Sequence, residues 1–220
     1  MKRILILLTC LLSMSLAFAQ SGRVECEDTC SHIHGIDLSH YQGNVFWETV
    51  GQTKMAYVYL KATEGGSRID DKYKQNIDLA HRYGLKVGSY HFYRPNIPQC
   101  RPGDQDLIPM IDIETRSGLG KAEFRDSLFK FLNLVEKAYK QKPLVYTYTN
   151  FYNINLLGML DNYKVMIAQY TRNEPVLNDH LDFIMWQYTG KGHLDGINGY
   201  VDKSRFMGRH KLREIRFRHH

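Results

Sequence analysis

Beyond residue 19 the sequence has no apolar run long enough to cross a bilayer, which takes about 20 consecutive apolar residues, so the body of the chain holds no membrane helix. Cysteine is scarce. Cys10 lies in the leader, and only Cys26, Cys30 and Cys100 follow it, which allows one internal disulfide, expected to pin the segment ahead of the fold, and leaves one thiol over. No histidine stands at the spacing that would complete a zinc site with Cys26 and Cys30. There is no internal repeat and no low-complexity tract, which excludes a solenoid or a disordered linker. Proline is sparse and clustered. Pro95, Pro98 and Pro102 fall between residues 94 and 106 and leave no room there for a helix of ordinary length.

Charge of one sign is also lacking from the body. The chain carries +6, but Lys2 and Arg3 account for two of those charges. The last stretch, 207–220, sets Arg209, Lys211, Arg213, Arg216 and Arg218 against Glu214 and accounts for the other four. Residues between them are neutral in sum. No nucleic-acid partner is expected, and 207–220 reads as a solvated basic extension able to adsorb to anionic polymers.

The first 19 residues form a secretory signal: Lys2 and Arg3, an apolar run from Ile4 to Leu12, then Ala17-Phe18-Ala19 as a small-x-small cleavage site before Gln20. The product is expected to be exported, periplasmic or extracellular, and monomeric. The rest divides into a lead-in over 20–33, one folded domain over 34–206 and the basic tail over 207–220. With 43% hydrophobic and 24% charged residues the chain can build one sizeable core.

Strands are predicted over 35–39, 55–61, 86–93, 107–114, 143–149, 164–170, 182–188 and 200–206. Helices are predicted over 70–83, 121–140 and 151–160. The second of these has Phe124, Leu128, Phe131, Leu132, Val135 and Tyr139 in one stripe. Alternating strands and helices imply a parallel sheet, and eight strands with no helices late in the chain imply a small irregular β/α barrel. In such barrels the site forms at the C-terminal ends of the strands. Asp37, Glu64, His91, Tyr93, Asp112, Glu114, Tyr148 and Trp186 all stand at or just past such ends.

The run Pro109-Met110-Ile111-Asp112-Ile113-Glu114 is the chemical centre. Side chains at i and i+2 on a strand share a face, so Asp112 and Glu114 point one way and Ile111 and Ile113 the other. Paired carboxylates raise each other's pKa, which suits an acid that must keep its proton near neutral pH. Carboxylates among aromatics suit glycoside cleavage, in which one protonates the leaving oxygen and another group attacks or stabilises the anomeric carbon. Two other classes compete. A metal hydrolase would draw on His34, His40, His91, Asp37 and Asp112, although His34 and His40 flank their strand at opposite ends. A non-catalytic glycan-binding barrel would keep the aromatics without needing the acid pair.

Five motifs then stand in one order: Gly35-Ile-Asp37-Leu-Ser-His-Tyr-Gln-Gly43, Leu60-Lys-Ala-Thr-Glu64-Gly, Gly88-Ser-Tyr-His-Phe-Tyr93, Pro109-Met-Ile-Asp112-Ile-Glu114, and Trp186-Gln-Tyr with Gly196-Ile-Asn-Gly-Tyr-Val-Asp202. Together they resemble the Chalaropsis-type lysozymes, glycoside hydrolase family 25, over nearly the whole domain. The resemblance implies a shortened TIM-like (β/α)5β3 barrel and an N-acetylmuramidase acting on peptidoglycan with retention, without metal or cofactor. It implies Glu114 as general acid/base, and Asp112 as its partner, either nucleophile or orienter of the substrate acetamide. Asp37 and Asp202 complete the acidic cluster, with substrate contacts from Tyr41, Glu64, Tyr90, Tyr93, Tyr148 and Trp186. The chain departs from the family in two places: its proline-rich connection replaces a helix between strands three and four, and Arg68 stands where an aromatic or leucine is usual.

Overall fold

Residues 32–95 and 105–219 are described in the computed structural model. The signal segment, the three remaining cysteines, nearly all of the lead-in and most of the proline-rich connection lie outside them.

The elements in chain order are β1 (His34–Leu38), α1 (Trp47–Gly51), β2 (Met55–Glu64), β3 (Arg68–Ile69), α2 (Tyr73–Arg82), β4 (Lys86–Phe92), β5 (Met110–Asp112), α3 (Lys121–Tyr139), β6 (Leu144–Tyr148), α4 (Thr149–Asn155), β7 (Lys164–Ala168), β8 (Met185–Gly192) and β9 (Val201–Phe206). The sheet runs β1-β9-β8-β7-β6-β5-β4-β2, and β1 pairs again with β2, so eight strands close into a barrel. β3 hangs on the end of β2 as a short antiparallel flap. Every barrel pairing from β1 to β8 is parallel, whereas β9 runs antiparallel to both of its neighbours. This is the shortened α/β barrel expected from the sequence. Among the described residues no α-helix lies between β4 and β5 or after β7, and no helix is long and apolar enough to cross a membrane.

Strand alternation builds the core in two layers. Inside the barrel stand Tyr57, Tyr59, Met110, Leu144, Tyr146, Met166, Met185 and Phe206. Two tyrosine rings fit side by side because their neighbours are glycines. A Cβ on Gly35 would lie 2.2 Å from the Tyr57 ring, and one on Gly88 would lie 2.2 Å from the Tyr59 ring. Both phenols find partners, as buried hydroxyls must: Tyr57 with Ser204 Oγ at 2.9 Å, and Tyr59 donating to the Ile108 carbonyl at 3.1 Å. Outside, Ile111, Ile113, Val145, Val165 and Ile167 pack against the Phe124, Leu128, Phe131, Leu132 and Val135 stripe of α3, as predicted. Ile36, Leu38, Val58, Leu60 and Val87 pack against Trp47 and Val50 of α1 and Ile77 and Ala80 of α2. Each fully buried aliphatic side chain is worth about 1.5–3 kcal/mol.

Four boundaries differ from the sequence expectation, each because of how another segment packs against the strand or tail. β2 runs on to Glu64, because β3 folds back to cover Thr63 and Glu64. β5 is only three residues long; Leu107 and Ile108 pair instead with Arg216 and Ile215 near the C-terminus. β8 runs on past 188 to Gly192, because β9 turns back along it. Finally, residues 207–219 are not a solvated extension. Ile215 is wholly buried among the floor residues Leu107, Ile108 and Phe206, and Phe217 packs beside it. The Phe217 N–H donates to the Asp106 carbonyl at 2.7 Å, and that of Arg218 to Gln141 at 2.6 Å. The segment closes the end of the barrel where β4 to β7 begin.

Candidate active site

The mouth of the barrel is the end at which the parallel strands finish, and alternation decides what reaches it. On β5 and just beyond, Ile111 and Ile113 face α3 while Asp112 and Glu114 face inward, as their spacing predicts. Asp37 enters from the end of β1. Asp202 enters from the start of β9, and it can do so only because β9 is antiparallel; its backbone lies directly opposite that of Asp37. Like charges facing each other across a strand pair are destabilising. The barrel therefore forces four acids together, and their ionisation responds.

Each carboxyl is pushed toward its protonated form. Asp37 rises to about 8, first through burial and then through Asp202, against a hydrogen bond from Gln187. Asp202 rises to about 6 through burial and the charge of Glu114. Asp112 lies well above the ordinary carboxylate range through burial and the Glu114 charge, opposed by Lys61. Glu114 is raised by burial, with the Tyr146 hydroxyl and Lys61 pulling the other way. Because Asp112 and Glu114 interact strongly, they titrate as a pair. Asp37 Oδ1 and Asp112 Oδ1 are buried with no hydrogen-bond partner among the described residues, so each is placed to carry a proton or to meet a ligand.

A polar frame holds this cluster. Gln187 Nε2 donates to Asp37 Oδ2 at 2.7 Å, and its Oε1 accepts from Tyr146 at 2.9 Å and Tyr170 at 2.7 Å, which fixes the amide orientation. Lys61, buried on β2, brings a positive charge that acts on both Asp112 and Glu114. Its Nζ donates to Glu64 at 2.7 Å. Beside Glu114 a cavity of about 350 Å³ opens between Tyr146, Tyr148, Gln169 and Tyr170. That lies at the lower end of small-ligand pockets, about 300–1,000 Å³.

The remaining expected contacts divide. Tyr90 faces the acids, and its phenol is pushed up by burial and by Asp112, Asp37 and Asp202. Tyr148 lines the cavity, and Tyr41 stands 76% exposed on the rim, its ring tilted against His40. Glu64 is committed elsewhere. Burial alone would raise its pKa, but Lys61 and Arg94 hold it down to about 2, with Arg94 donating through Nε and Nη2 at 3.2 and 2.7 Å. Tyr93 and Trp186 do not face the mouth. Tyr93 is buried under α3, stacked on Phe131 and bonded to Ser127 at 2.8 Å. Trp186 is buried on the outer face of β8, donating to the Gln169 carbonyl at 2.9 Å beneath the Arg205 guanidinium. Their place in the chain suited a role at the mouth; their parity on the strand did not.

The histidines of the metal alternative are not gathered either. His34 pairs with Tyr188, His40 with Asp70, and His91 with Thr63 behind the barrel wall. Sequence reasoning missed Lys61, Gln187, Tyr146 and Tyr170. The signal for Lys61 was there: a lysine two residues after Tyr59 in an otherwise apolar strand. Tyr146 likewise shares the face of Tyr148, which was chosen.

Known proteins share this arrangement of strands and sequence. Residues 36–197 match the family model for glycosyl hydrolases family 25. The protein YegX of Escherichia coli strain K12 is 33% identical over 191 residues, covering 80% of this chain and 70% of that one. The autolytic lysozyme of Clostridium acetobutylicum is 33% identical over 182 residues, covering 78% of this chain and 55% of that one. The crystal structure of the bacterial lysozyme from Streptomyces coelicolor superposes with a TM-score of 0.76 at 26% identity, covering 84% of this chain and 95% of that one.

Proposed function

Since the chain belongs to glycosyl hydrolase family 25 and is a glycoside hydrolase of the lysozyme class, we propose that it is an exported, monomeric N-acetylmuramidase. Its substrate is the β-1,4 bond from N-acetylmuramic acid to N-acetylglucosamine in peptidoglycan. The observation that carries this reading is the inward pair Asp112 and Glu114, both held above the ordinary carboxylate range within a mouth that also holds Asp37 and Asp202.

Glu114 is the general acid/base. It is the less buried of the pair and borders the cavity, so it can reach a leaving oxygen. Its raised pKa favours the protonated form that a general acid must carry. Asp112 sits deeper; when the pair holds a single proton and Glu114 carries it, Asp112 is ionised and supplies the negative charge that the developing oxocarbenium needs, either by attacking the anomeric carbon or by orienting the acetamide that does. In both routes the configuration is retained. Near neutral pH Asp202, at about 6, supplies negative charge at the mouth while Asp37, at about 8, keeps its proton, and Gln187, Tyr146 and Tyr170 hold the geometry. Exposed rings at Tyr41 and Tyr148 offer faces on which sugars stack.

The test is mass spectrometry of fragments released from purified peptidoglycan. The expected product carries a new reducing-end N-acetylmuramic acid. Reducing-end N-acetylglucosamine, or no fragments at all, would overturn the assignment. Glu114→Gln keeps the shape and removes the proton donor, so its rate should fall by about 10²–10⁴-fold with the fold unchanged.

A further inference from the structure

We propose that the floor of the barrel, at the end opposite the acidic mouth, is a second wall-binding site: a cationic groove that takes the carboxylates of peptidoglycan itself. The observation is a cavity of about 1030 Å³ bordered by Lys142, Lys164, Arg213, Arg216 and Arg218, with Asp161 and Glu214 as its only acids. A second hollow of about 410 Å³ shares Arg213 and Arg216 and adds His219 and Lys86, the latter paired with Asp106 at 3.5 Å.

The packed C-terminal segment builds this surface. Burial of Ile215 and the packing of half-buried Phe217 fix the backbone, so Arg213, Arg216 and Arg218 project from an anchored strap. Among the described residues no ion pair engages Lys142, Lys164 or any of these three arginines. Glu214, in contrast, is occupied by His210 at 3.0 Å and by the Lys211 N–H at 2.7 Å. Lys142 lies over the Tyr163 ring, 5.2 Å from its centre, and Lys164 acts on Glu214, so the three arginines carry the excess positive charge that faces a ligand, although the chain between leader and tail is neutral overall. Arginine forks bind carboxylates in bidentate fashion.

The choice of occupant rests on the proposed function. The mouth and the groove lie at opposite ends of the barrel, so one short glycan segment cannot fill both. A cross-linked wall presents many strands at once, with carboxylates on its peptide stems. Holding one strand on the floor raises the effective concentration of others at the mouth.

The test is co-sedimentation of the full chain with insoluble peptidoglycan stripped of accessory polymers, in 20 mM and 300 mM salt. It is run in the Glu114→Gln background so that the wall survives. A triple variant, Arg213→Gln, Arg216→Gln and Arg218→Gln, keeps Ile215 and Phe217. At low salt it should bind about tenfold more weakly, and high salt should remove the difference. Equal binding by both proteins, or binding indifferent to salt, would overturn the groove. So would salt-sensitive binding seen only on walls that retain phosphodiester polymers, since that assigns a different ligand. Turnover of small soluble muroglycan fragments by otherwise wild-type protein is measured separately and should not change in the triple variant. If the wild-type protein fails to cut those fragments, the muramidase reading falls while the sedimentation result still decides the groove.

Discussion

Replacing Asp37 with Asn should make the protein progressively more stable than wild type as pH rises. Asp37 is buried, and its folded-state pKa stands at about 8 against 3.8 for the free side chain. The unfolded chain therefore sheds this proton near pH 4, whereas the folded chain keeps it to about pH 8. Below pH 4 the wild-type fold pays nothing for Asp37. Between the two values wild-type stability falls by about 1.36 kcal/mol per pH unit. The loss is about 2 kcal/mol at pH 5, about 4 kcal/mol at pH 7, and levels off near 6 kcal/mol above pH 8. Asn keeps the shape of the protonated acid and has no proton to lose. Its carbonyl still accepts from Gln187, while its amide takes the place of Asp37 Oδ1, an atom with no partner among the described residues. That adds a fixed cost of about 1–3 kcal/mol, independent of pH. The slope is thus the diagnostic, not the level. Urea unfolding at five pH values between 4 and 9 would give it. Parallel stability curves for the two proteins would refute the reasoning, because they would mean that Asp37 titrates alike in the folded and unfolded states. The gain should come with a loss of lytic rate, as the proposed role of the crowded acids requires.

Three further outcomes are expected. Asp112→Asn should lower wall lysis by several powers of ten, read as loss of turbidity clearing. Lys61→Met removes the positive charge that draws Asp112 and Glu114 downward, so both should rise further and the alkaline limb of the pH–rate profile should move up by about one unit; an unmoved limb would show that Lys61 does not set the acid's pKa. Ile215→Ala leaves a cavity in the barrel floor and should cost about 2–5 kcal/mol in urea unfolding, with turnover of soluble fragments unchanged.

Much of the site was legible because strands have a period of two. The run through Asp112 and Glu114 told which side chains share a face, and its apolar partners Ile111 and Ile113 told which face meets a helix. The same rule, applied to Tyr93 and Trp186, would have turned them away from the mouth; position near a strand end does not choose a face. The pairing of Glu64 was illegible for another reason. Its neutralisation by Arg94 depends on where the chain returns after β4, and no local pattern encodes that.

From the sequence alone came the alternation of strands and helices, the shortened barrel, the amphipathic stripe of α3, and the acids Asp37, Asp112 and Glu114. These follow from local spacing, which a single chain displays in full. Tertiary structure alone decided that β9 runs backward and sets Asp202 opposite Asp37, that Lys61 and Gln187 frame the acids, and that the basic C-terminal segment closes the floor. Strand direction, burial and electric field are sums over residues far apart in sequence. They acquire values only once the barrel has closed.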